Sequence, residues 1–462
     1  MKNRSQWQLT RRAFLANGTL QFSAISFLPS LFGSFLKAAH AEGDSPNWLP
    51  AVIIDLAGGM ALPSQFLVGG KGGPTDLLPS YGKLGWSQSE IQRRAFFEGF
   101  GLPLASEGAF LAGLNQVSSA EARARFRMGS YCHKSETDVS TNLLSAFGFI
   151  SRSGAQGEAV KRGLGVRNSA SGGNSNAPGL EDRFRAIQIA TVDELQKLTQ
   201  ATGIIGDLSP SLRNSLLDRI LKLSGEQARN LSQTDEGKRL SENVNRADNE
   251  VIQSLSKVVN LDARRNANAA RIFGINQNTP AGNQSAIFAS LVTATLTRQS
   301  GPAVLTLSGY DYHQGDAAAI AQKDREAGQV VGQVVELAHQ LKQPVFIQII
   351  TDGGCSISPR HVGSRNWSSD SPVATMTING FYDPNGAKEP VRHQVGYFTE
   401  GEGAETSTFV GNSPERVAAL SFANYLALSN RLGEFSNFVS PDLVNSGLFK
   451  NPRDEAYPLF WG

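Results

Sequence analysis

Gly309-Tyr310-Asp311-Tyr312-His313 sets a carboxylate and an imidazole two residues apart, directly after the apolar run Pro302–Ser308. In extended backbone, residues i and i+2 face the same way, so Asp311 and His313 offer two ligand types to one side. An Asp oxygen and a His nitrogen together suit a divalent metal such as Zn²⁺ or Mn²⁺. Asp55 and Asp352 close two further apolar runs, and each is followed by a glycine pair, Gly58-Gly59 and Gly353-Gly354. In open α/β sheets ligands gather at the carboxyl ends of strands, which makes Asp55, Asp352 and His393 the candidates for the remaining ligands. Each Asp also has a structural reading, as the cap of a following turn or helix.

A second polar cluster, Cys132-His133-Lys134-Ser135-Glu136-Thr137-Asp138, follows the run Arg125–Tyr131. It offers Ser135 or Thr137 as a nucleophile beside a cation that would lower its pKa. The competing reading is an exposed turn. Of the other histidines, His133 stays open as a candidate, His339 sits late in an amphipathic helix, and His361 lies in a polar loop between Arg360 and Arg365. Cys132 and Cys355 are the two cysteines. A disulfide between them and a pair of small buried thiols are equally open, and a bridge would pin the Ser135 cluster beside Asp352.

The elements that position these residues read as α/β. Pro50–Gly59, Pro302–Ser308 and Pro344–Ile350 are continuous apolar runs of the kind buried on both faces in parallel sheets. Ala317–Gln340 is amphipathic, so residues 302–350 predict a strand–helix–strand crossover and a parallel sheet. Val373–Ile378 and His393–Phe398 read as further strands, as an antiparallel pair. Ser413-Pro414-Glu415 opens a last helix with an N-cap, a proline at the first position and an acid in the first turn. Ser64–Ser89 reads as a long surface loop and Gly154–Asn176 as a glycine- and serine-rich one. The segment 191–300 reads as a helical insertion, with helical spacing plainest from Thr191 to Phe273. The expected fold is therefore a doubly wound, mainly parallel sheet sandwiched by helices, over 42–190 and 301–462.

Residues 1–41 carry five basic and no acidic residues, with Arg11-Arg12-Ala13-Phe14-Leu15 leading into an interrupted apolar stretch and Ala39-His40-Ala41 before Glu42. This reads as a twin-arginine signal cut after Ala41, so the twin-arginine translocase and a signal peptidase are expected partners and the mature chain is expected in the periplasm or outside the cell. Without those five, the 43 basic residues become 38 against 41 acidic ones. That balance points away from nucleic acid and anionic membrane surfaces. No later run is long enough to suggest a permanent membrane span, and no G-x-G-x-x-G follows a strand, which argues against a Rossmann nucleotide site.

On the export signal, Asp55-Leu-Ala-Gly-Gly, Gly309–His313 and Thr351-Asp352-Gly353-Gly354, the chain resembles uncharacterised twin-arginine-exported bacterial proteins of the alkaline-phosphatase-like superfamily, relatives of the sulfatases. The resemblance implies a sheet whose strand-end Asp and His residues hold metals, with a Ser, Thr or modified Cys as nucleophile. It would make Asp55 the first-strand ligand, Asp311 and His313 a later pair, Asp352 the late Asp and His393 the last His. The chain departs from the pattern in three ways. Gly353 stands where a His commonly follows the late Asp, the 311–313 spacing is short, and no nucleophile is obvious after the first strand. Two readings result. One is a metal-dependent hydrolase of phosphate or sulfate esters, and the other is a binding or assembly protein of the periplasm or cell surface that has lost the chemistry.

Overall fold

The computed structural model describes residues 48–134, 143–154, 163–166, 185–199, 215, 261–314, 316–351, 353–357, 367–370, 373–454 and 456–462. The expected signal, Ser135, Thr137, Asp352 and His361 lie outside them. By contact the chain divides into two units. The first, residues 1–45, 155–160 and 196–259, falls almost wholly outside the described residues. The second, residues 46–154, 161–195 and 260–462, holds the sheet.

Its strands are Ala51–Leu56 (β1), Phe96–Phe97 (β2), Leu104–Ala105 (β3), Phe126–His133 (β4), Leu164–Val166 (β5), Ile187–Ile189 (β6), Ala303–Leu307 (β7), Val345–Thr351 (β8), Cys355–Ile357 (β9), Trp367–Asp370 (β10), Thr375–Tyr382 (β11) and Gln394–Val395 (β12). Eight form one sheet in the order β12-β4-β11-β8-β1-β7-β5-β6. All neighbours run parallel except β11, which is antiparallel to both β4 and β8. The class is therefore α/β with a mostly parallel mixed sheet. β1, β7 and β8 are buried at every position, which is why their sequences run apolar without alternation.

The helix Ala317–Leu341 carries the chain from β7 to β8 across β1. It starts at Asp316, whose carboxylate accepts from Ala318 N and Ala319 N at 2.9 Å. Its partner is the helix Ala109–Val117, and their backbones nearly touch. A Cβ on Gly332 would come within 2.8 Å of the Leu114 carbonyl, and one on Gly328 would collide with the Phe110 carbonyl. On the opposite face, the helices Phe147–Ser153 and Pro414–Leu428 pack together over Ile53, Phe346, Ile350 and Phe381. The last of these helices is capped as its sequence predicts, by Ser413 Oγ accepting from Arg416 N. Asn424 in the same helix ties the carboxyl-terminal segment to the sheet: it donates to Tyr131 Oη at 2.6 Å and accepts from Phe460 N at 2.8 Å.

Several expectations change. The run at 393–398 yields only β12, which pairs with β4, so β4 separates it from β11 and the two are no antiparallel pair. The 64–89 segment is only partly a surface loop: residues 71–77 lie at or near the surface, while Phe66, Leu67, Val68, Tyr81 and Trp86 are buried, with Tyr81 Oη donating to Val68 O and Trp86 Nε1 to Pro63 O. Within 191–300, the helix Gln284–Leu296 packs on β1, β5 and β7 and so belongs to the sheet's helical layer. The glycine-rich 154–176 stretch contributes β5 to the sheet. No helix among the described residues is long and apolar enough to cross a membrane.

Candidate site at the carboxyl edge of the sheet

β4, β8, β1 and β7 all end on one edge of the sheet, where β11 begins opposite His133. The turn after β1 is the junction of this edge. Ala57 N donates to Leu307 O at 2.9 Å, and Tyr310 N donates to Ala57 O at 3.1 Å, joining it to the turn after β7. On its other side, Thr351 Oγ1 donates to Leu56 O at 2.9 Å and accepts from Met60 N at 2.8 Å. The Cys355 thiol donates to Gly59 O at 3.2 Å. Gly58 (φ 121°) and Gly59 (φ 93°) take conformations that L side chains rarely adopt. A Cβ on Gly58 would also strike the backbone of Tyr310 and Asp311. The two glycines thus let three strand ends converge.

The turn after β7 alternates buried and outward residues. Tyr310 and Tyr312 point in: Tyr310 Oη donates to Lys323 O at 3.1 Å and Tyr312 Oη to Asp324 Oδ1 at 2.8 Å. Asp324 is itself buried and accepts from Gln65 Nε2 at 2.9 Å, which fastens the helix Ala317–Leu341 to the segment after β1. Burial and the Asp324 charge together push the Tyr312 hydroxyl far above its usual range, so it remains a donor. Asp311 and His313 face outward, and Asp311 Oδ1 is in hydrogen-bond contact with His313 Nδ1. The juxtaposition expected from the i, i+2 spacing is present, although His313 lies on a 3-10 turn, Tyr312–Gln314.

Asp55 is fully buried at the end of β1 and accepts from Thr306 Oγ1 at 3.5 Å. Its face of the sheet carries a row of polar residues across the edge. His133 Nε2 and Thr377 Oγ1 are 3.0 Å apart, and Gln348 binds Ala146 N and Leu144 O through its two amide atoms. Burial lowers the His133 pKa to about 4 and so keeps the ring neutral. His133 is thus part of the core's polar pairing.

His393 does not join the edge. Its carbonyl accepts from Ser130 N, well before the end of β4, and β12 is four strands from β1, roughly 19 Å at about 4.8 Å per strand. It cannot share a metal with Asp55 or His313. The disulfide is not formed: Cys132 and Cys355 are both buried thiols. Cys132 pairs with Met376 inside the sheet, while Cys355 serves the Gly59 turn. Among the described residues no three His, Cys, Asp or Glu side chains are grouped to hold a metal ion. Asp55, Asp311 and His313 are therefore not a ready triad, and Asp352, the neighbour that follows Thr351, lies outside the described residues. Sequence reasoning misses the clasping role of Thr351 and Cys355; the one signal for it is a hydroxyl ending an apolar strand just before a glycine turn.

No protein-family model, no curated protein and no solved structure matches the chain.

Proposed function

We propose that this is an exported, divalent-metal-dependent hydrolase of phosphate or sulfate esters with an alkaline-phosphatase-like fold. The observation that carries the reading is the convergence of the β1, β7 and β8 ends on Gly58-Gly59, which gathers Asp55, the Asp311–His313 turn and Thr351 at one edge. The proposed ligands are Asp55, His313 and Asp352, two carboxylates and one imidazole, donor types that suit Zn²⁺ or Mn²⁺, although the described donors form no group of three. Bound there, a metal supplies Lewis-acid polarisation of the ester oxygen. The chain's own part is positional: the tyrosine anchors hold the β7 turn, and Thr351 holds the β1 turn. Ser135 and Thr137 follow β4, which ends at the same edge, so one of them is the proposed nucleophile.

Export by the twin-arginine route rests on Arg11-Arg12 and Ala39-His40-Ala41. It fits a protein that must fold around its metal before transport. An Arg11→Lys/Arg12→Lys double variant should stay uncleaved in the cytoplasm.

The direct test is turnover of an aryl phosphate and an aryl sulfate with Zn²⁺ or Mn²⁺ added, by the parent and by Asp55→Asn. Metal-dependent turnover lost in the variant supports the reading. A second reading, a periplasmic or surface binding protein with the chemistry lost, draws on the neutral, core-paired His133 and the ungrouped donors. It predicts no turnover of either ester in any metal.

A further inference from the structure

We infer that Asn379 of β11 and Ser421 of the helix Pro414–Leu428 share a binding site for an internal water molecule between sheet and helix. Both side chains are fully buried. Asn379 Oδ1, Asn379 Nδ2 and Ser421 Oγ have no hydrogen-bond partner among the described residues. Buried polar atoms in folded proteins are almost always bonded, because an unmade bond forfeits the hydration given up on burial.

Within the sheet Asn379 has no side chain to bond. On one side it stands opposite Gln348 of β8, whose amide is engaged with Ala146 N and Leu144 O. On the other it stands opposite Gly129 of β4, and the Phe460 ring lies 2.5 Å from where a Cβ on that glycine would be. The remaining direction is away from the sheet. By alternation Asn379 shares its face with Phe381, which belongs to the apolar layer under the helix Pro414–Leu428. That helix brackets β11, which lies between β4 and β8. Asn424 donates to Tyr131 Oη on β4, and the Tyr425 ring meets that of Phe346 on β8 at 5.9 Å between centroids. Ser421 is spaced i, i+3 and i, i+4 from these two residues, so it occupies the same helix face one turn earlier. Asn379 and Ser421 therefore face each other across one layer.

The three atoms are an acceptor, a donor and a hydroxyl, all neutral, which suits water and gives an ion no counter-charge. One water can accept from Nδ2, donate one proton to Oδ1 and the other to Ser421 Oγ. That makes three bonds, about the usual number for an internal water. The water would tie β11, the antiparallel strand that carries Thr377 to His133, to the helix above it. The inference stands apart from the ester-hydrolase reading.

A crystal structure of the protein should show an ordered water within hydrogen-bonding distance of the Asn379 amide and Ser421 Oγ. In urea denaturation, Asn379→Val and Ser421→Ala should each lower the midpoint, and the double variant should lose less than the sum, since either change already breaks the bridge. Should Asn379→Val fail to fold, the parent structure and the Ser421→Ala midpoint still decide. A direct Asn379–Ser421 bond, an Asn379 amide bonded elsewhere in the protein, or no water in that layer overturns the inference. So does strict additivity of the two substitutions, or a Ser421→Ala midpoint equal to the parent's.

Discussion

A Cβ built on Gly58 would lie 2.5 Å from the Asp311 amide nitrogen. That one approach couples the end of β1 to the turn that carries His313. Gly58→Ala should therefore act twice. It forces an L side chain to φ near 121°, at about 1–3 kcal/mol, and it pushes the β7 turn outward. A fall in the urea midpoint together with weakened metal binding is expected, and an unchanged midpoint would show that the turn is not held by this contact.

Tyr312→Phe removes the hydroxyl from Asp324, a buried carboxylate that keeps its bond from Gln65. Loss of one donor to a buried carboxylate is worth about 1–3 kcal/mol. Because Tyr312 sits between Asp311 and His313, the expected signature is lowered stability accompanied by broadening of the His313 ring resonances. Equal stability in parent and variant would contradict the anchoring role.

His133 predicts a pH dependence of stability. Its pKa is about 4 in the folded chain, lowered by burial, against an ordinary value of 6.5. The unfolded chain therefore takes up the proton first. The stability carried by the neutral ring is full above pH 6.5, declines as pH falls, and is gone below about 4. The total is on the order of 3 kcal/mol. Urea denaturation at pH 7.5 and 4.5 should show a larger loss in the parent than in His133→Asn, and parallel losses would contradict the assignment.

Both cysteines should be silent in the folded protein. Cys132 and Cys355 are buried thiols, and burial raises the Cys132 pKa far above its usual range, which removes the reactive thiolate. A thiol reagent should find two equivalents only after unfolding. One or two reactive thiols in the native protein, or none after denaturation without reductant, would contradict the structure.

The central sheet was legible because its residues leave little choice. Residues 51–54, 303–307 and 345–350 are too apolar and β-branched for anything but buried strands, and Asp316, Ser413 and Pro414 mark helix starts by local bonding. The site was legible only where spacing alone decides neighbours, as at Asp311 and His313. His393 failed because two residues of β12 carry no signal of which strand they join, and pairing with β4 places them at the far side of the sheet. β5 and β6 were missed because three residues each give no periodicity. Thr351 and Cys355 were missed because a hydroxyl or thiol bonded to a distant backbone carbonyl leaves no pattern along the chain.

The measurement closest to the central claim is the divalent metal content of the folded protein purified from the periplasm, for the parent and for Asp55→Asn and His313→Ala. Close to one equivalent of zinc or manganese is expected in the parent and a clear loss in both variants, with folding retained by circular dichroism. A metal-free parent that also takes up none on titration, or variants that keep the full content, would contradict it.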